Sequence, residues 1–136
     1  MTGFVLHERL AADTVAVAEL GLCSARLMND RTWPWLVLVP RRAAAREITD
    51  LGEVDRRLLI EEIAAASRVL QTLHRPNKIN IGALGNLVPQ LHVHVIARFT
   101  GDPAWPRPVW AVQPPVAYAA EELDAAVATL RTALRI

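Results

Sequence analysis

The stretch Gln90-Leu91-His92-Val93-His94-Val95-Ile96-Ala97-Arg98 decides the reading of this chain. Polar and apolar residues alternate along it in the manner of a β-strand, where residues two apart share a face. Gln90, His92, His94 and Ile96 then point one way, and Leu91, Val93, Val95 and Ala97 the other. A strand built only to fill a core gains little from two imidazoles side by side, so chemistry is sought here first. Three uses fit the residues alone: ligands of a metal, hydrogen-bonded structural histidines, or a phosphate- or acyl-transfer site. Metal is the poorest fit. A catalytic zinc takes three protein ligands and a structural one four, and no neighbouring carboxylate or cysteine completes the set.

Upstream, Gly82, Gly85 and Pro89 shape a compact loop, and Lys78–Ala83 reads as the strand before it. Val54, Leu58, Leu59, Ile63, Ala66, Val69, Leu70 and Leu73 recur at helical spacing, which predicts a long helix to about His74. Glu61 and Glu62 fall mainly off that stripe. Asp50 and Glu53 have the spacing of a capping box at its start. Residues 20–28 and Leu36–Val39 read as a hairpin of two strands, separated by the turn signal Asn29-Asp30. Downstream, five prolines between Pro103 and Pro115 argue against regular structure over residues 100–118. Leu123, Val127, Leu130 and Leu134 then predict a final helix over 119–134.

A chain of 136 residues suits one domain spanning 1–136. No apolar run approaches the roughly 20 residues of a membrane span, and Met1-Thr2-Gly3-Phe4 opens no secretory signal. With Cys23 the lone cysteine, no internal disulfide forms, and a cytoplasmic setting is expected. The net charge of +1 gives no polycation, and no nucleic-acid motif is present, so neither a membrane nor a nucleic acid is an expected partner. Arg41, Arg42 and Arg46 follow the second strand, as a solvated loop or as a rim that attracts an anionic substrate. Trp35 is expected in the core. Trp105 and Trp110 line the mouth of a site, or pin the proline-rich segment or an interface.

The run Gly85-Asn86-Leu87-Val88-Pro89-Gln90-Leu91-His92-Val93-His94-Val95-Ile96-Ala97-Arg98 resembles the signature of the histidine triad superfamily of nucleotide hydrolases and transferases. The likeness covers roughly residues 20–99. It implies an α+β, HIT-like fold: an antiparallel sheet with one long helix and a C-terminal helix. It implies a nucleotide or dinucleoside polyphosphate substrate, no cofactor and a homodimer formed through the long helix and a strand. His92 takes the place of the histidine that attacks the α-phosphorus, and His94 that of the one that holds the phosphate. Gln90 stands where the first histidine belongs, keeping a donor and an acceptor but no titrating proton. His92, His94 and Gln90 are therefore the catalytic candidates.

Amides of the Gly85–Val88 loop, with Leu87 and Val88, are expected to receive phosphoryl charge. Leu87 lacks the hydroxyl common at that point, and Asn80 and Asn86 are the candidates for a phosphate-facing asparagine. Asn29 and Asp30 match the ribose-binding region. Trp35, in Trp33-Pro34-Trp35-Leu36, replaces an accessory histidine. The alternative is a non-catalytic protein that retains the nucleotide- or phosphate-binding cleft.

Overall fold

The computed structural model describes residues 3–135; Met1, Thr2 and Ile136, the ends of the expected domain, lie outside them. Five strands form one sheet, β1 (Thr14–Glu19), β2 (Cys23–Met28), β3 (Trp35–Pro40), β4 (Lys78–Gly82) and β5 (Val93–Arg98). Their order is β1-β2-β3-β5-β4, and every neighbouring pair is antiparallel. Three helices accompany them: α1 (Glu8–Asp13), α2 (Glu53–His74) and α3 (Ala120–Ala133). The α+β class and the β2–β3 hairpin are as expected, with Ser24 opposite Val39 and Leu27 opposite Leu36. The short α1 and the bulged β1 were not foreseen.

The alternation of the histidine run sorts its residues between two cores. Leu91, Val93, Val95 and Ala97 pack with Leu59, Ile63, Ala66 and Leu70 of α2 and Leu130 of α3. Ile96 joins Trp33, Trp35, Val37 and Val39 on the opposite face, beneath Leu10, Ala104 and Val109. Burying apolar area on both faces at about 25 cal/mol per Å² fixes the register. His94 is thereby held between Val37 of β3 and Gly82 of β4. The strand proper starts at Val93, so His92 occupies the residue just before the ladder.

Three expectations about α2 are corrected. Its N-cap is Gly52, without a side-chain cap. Asp50 instead accepts from the Arg46 and Glu47 amides at 3.0 and 2.9 Å and closes a 3₁₀ turn, Ile48–Asp50. Val54 and Leu73 lie on the apolar stripe but are exposed, each within two residues of an end of the helix. Glu62 is buried, its two oxygens each 2.8 Å from an amide, those of Leu22 and Cys23. The tight β1–β2 turn leaves those amides without a strand partner, and a buried amide must be paired.

Residues 100–118 contain no helix or strand, and polar contacts order them instead. Asp102 accepts two bonds from Arg98 (2.9 and 3.1 Å) and others from the amides of Phe99, Ala104 and Trp105. Burial alone raises its carboxyl pKa, but the guanidinium and these amides outweigh that and hold it well below the usual carboxylate range. Among the described residues no helix is long and apolar enough to cross a membrane.

Candidate active site

Two hydrogen bonds set opposite tautomers on the two histidines. Nδ1 of His92 lies 2.6 Å from the carbonyl oxygen of Gln90. A carbonyl only accepts, so Nδ1 carries a proton, and in the neutral form of the ring Nε2 keeps its lone pair. Nε1 of Trp35 donates to Nδ1 of His94 across 2.9 Å. An indole only donates, so His94 Nδ1 is bare and Nε2 carries the proton. The rings are 5.0 Å apart and nearly perpendicular. One face of the sheet thus presents a lone-pair nitrogen beside an N–H donor. Both residues are buried, and burial first, then the neighbouring His92, pushes the His94 pKa down to about 4. His94 therefore stays neutral at physiological pH.

These rings open into a cavity of about 460 Å³, walled by Leu10, Met28, Trp35, Trp110 and the loop residues Leu84–Val88. Gly85 in that loop has φ +76°, a conformation that favours glycine. Asn86, Leu87 and Val88 line the cavity. An adjoining concavity of about 490 Å³ shares Arg9, Asp13, Met28, Trp35 and Trp110 and reaches Asn29 and Asp30. The Asn29 side chain accepts from the Tyr118 amide at 3.0 Å, and Asp30 from the amides of Thr32 and Val116 at 3.1 and 3.2 Å. Each retains acceptor capacity.

Asn80 is not brought to the site. Its Oδ1 accepts from Nη1 of Arg98 at 2.7 Å, as part of the Asp102 network, and it lines neither concavity. Gln90 is half-buried beside His92, its side-chain amide already bonded to backbone at both ends, to the His7 N–H at 2.8 Å and the Val5 carbonyl at 2.9 Å. The arginine rim dissolves into local pairs. Arg41 bonds the Leu20 carbonyl, and Arg42 meets Asp55 through two bonds, at 2.7 and 3.1 Å. Arg46 alone borders a groove that reaches His92.

Trp35 is in the core as expected, yet it also holds His94. Trp110 packs against His94 with ring centroids 5.2 Å apart. A Cβ on Gly82 would come within 3.0 Å of it. Trp105 instead lies under the Arg98 guanidinium, 5.7 Å from its ring centre. The contributions of Arg9, Leu10 and Asp13 were missed, since six residues of helix carry too little periodicity to reveal α1. Among the described residues no group of three or more His, Cys, Asp or Glu is placed to hold a metal ion.

Residues 9–101 match the HIT domain family. A histidine triad protein from Bradyrhizobium japonicum is 49% identical, with a TM-score of 0.94 over 98% of this chain and 99% of that one. A histidine triad protein from Marinobacter aquaeolei VT8 is 50% identical, with a TM-score of 0.95 over 98% and 97%. An AP-4-A phosphorylase from Mycobacterium tuberculosis is 36% identical over 73 residues, which is 49% of this chain and 37% of that protein. The matched segment therefore spans little more than a third of that relative's length. On the family match and the near-complete likeness to these two structures, the chain belongs to the HIT domain, or histidine triad, family.

Proposed function

We propose that the protein hydrolyses or transfers at the α-phosphate of a nucleotide, with His92 as nucleophile. The observation that carries the reading is the pair of opposed tautomers. His92 Nε2 has a lone pair to give, while its proton is held on Nδ1 by the Gln90 carbonyl. Attack forms an Nε2–P bond as the bond from phosphorus to the leaving group breaks, and water or another acceptor then releases the nucleotide from His92. His94 Nε2–H donates to a phosphoryl oxygen without adding charge. Amides of the Gly85–Val88 loop take up the remaining developing charge. The nucleoside extends over Leu10, Met28 and Trp110 toward Asn29 and Asp30.

Gln90 has no proton to give a leaving group. The site therefore favours phosphoanhydrides, whose phosphate departs as a stable anion, over phosphoramidates and alkyl esters. A dinucleoside polyphosphate fits that preference, and the AP-4-A phosphorylase relative supports it. Release of nucleotide from diadenosine tetraphosphate, compared with adenosine phosphoramidate, tests the reading. No turnover of either, with AMP still bound, favours a binding protein that keeps the cleft.

The homodimer belongs to the same proposal. Exposed Ile60 on α2 and Ile81 on the edge strand β4 support it, and light scattering of the purified protein measures it.

A further inference from the structure

The Gln90 side chain reaches away from the catalytic pair and into the N-terminal segment. Its Oε1 accepts from the His7 N–H and its Nε2 donates to the Val5 carbonyl, two bonds that close 83 and 85 residues of sequence. Val5 and His7 are two apart, and a primary amide presents its acceptor and donor side by side, as the N–H and C=O of one residue in a strand do. A carboxylate has no donor for Val5. An imidazole carries its donor and acceptor in divergent directions. Glutamine is thus the side chain that makes both bonds at once.

His7 is also the N-cap of α1, where its Nδ1 accepts from the Arg9 amide at 3.0 Å. The segment held by Gln90 therefore runs directly into the helix that supplies Arg9, Leu10 and Asp13 to the His92 cavity. Among the described residues Arg9, paired through Nε with Asp13 at 3.2 Å, is the only lysine or arginine that lines either concavity. Leu10, Phe4 and Leu6 pack with the Trp35 cluster. At the same time the Gln90 carbonyl holds the His92 proton. One residue thereby joins His92 to another wall of the same cavity.

We propose that Gln90 is a positioning residue. By clasping Val5 and His7 it holds α1 as a wall of the cavity and sets Arg9 toward the bound nucleotide. The clasp rests on the proposed function only for the identity of the ligand; the bonds themselves are independent of turnover.

The test combines Gln90→Ala with His7→Pro, which removes the N–H that Gln90 accepts from while suiting the φ of −55° found there. His7→Ala, which loses the cap but keeps the N–H, serves as the control. Hydrogen exchange across residues 4–13 should quicken about tenfold in Gln90→Ala, with exchange in β3 and β5 unchanged as proof of folding. AMP binding by calorimetry should weaken about tenfold in Gln90→Ala and in His7→Pro, and no further in the double variant. Gln90→His should behave as Gln90→Ala. Additive losses in the double variant would overturn the clasp, as would unchanged exchange in Gln90→Ala or wild-type AMP binding in Gln90→His. A wild-type protein that binds no AMP would count against the proposed function, while exchange would still read the clasp.

Discussion

The indole of Trp35 donates to Nδ1 of His94 at 2.9 Å, so the tautomer of that histidine is set by a residue of the core. Trp35 occupies β3 and His94 the adjacent β5, so the sheet register delivers the bond. Trp35→Phe keeps an aromatic ring and removes the donor. It should cost about 1–2 kcal/mol of stability and roughly tenfold in kcat. Nitrogen NMR of the His94 ring should show the proton shared between Nδ1 and Nε2. Wild-type kcat in this variant would separate the tautomer from the chemistry.

Acid should weaken the fold through His94. Its folded pKa is about 4 against an ordinary 6.5, so the unfolded chain binds a proton that the folded one refuses. The contribution is fully present above about pH 6.5 and is lost as the pH falls to about 4. It amounts to about 3 kcal/mol. Urea unfolding from pH 8 to 4, compared with His94→Gln, isolates it. The variant should show the shallower decline.

Asp102 neutralises a buried cation and orders the proline-rich segment at once. The Arg98 and Asp102 side chains are only 2% and 5% exposed. Asp102→Asn should destabilise by about 3 kcal/mol, since the guanidinium then lacks its charge partner. Tryptophan fluorescence should report loosening around Trp105 and Trp110 below the main unfolding transition. A loss under about 1 kcal/mol would show that the amide contacts suffice.

What the sequence reveals follows from the physics of each element. The histidine strand is legible because its two faces differ in polarity, and α2 because 22 residues give a stripe time to repeat. Neither advantage extends to α1 or β1, the one six residues long and the other interrupted by a bulge. Glu62 reads as a surface residue because its partners are backbone amides of a distant turn, which carry no side-chain signature. The same holds for Gln90 and the backbone at Val5 and His7. Asn80 is misread for the opposite reason. Its partner Arg98 is a buried cation, and nothing in the sequence marks it as one.

The most direct test of His92 as nucleophile is to catch the nucleotide on it. Protein mixed with diadenosine tetraphosphate, quenched in base to preserve a histidine–phosphorus bond, is digested and its peptides weighed. The account predicts one adenylyl group on His92, and neither adduct nor turnover in His92→Asn. Turnover that proceeds without an adduct and persists in His92→Asn would contradict it.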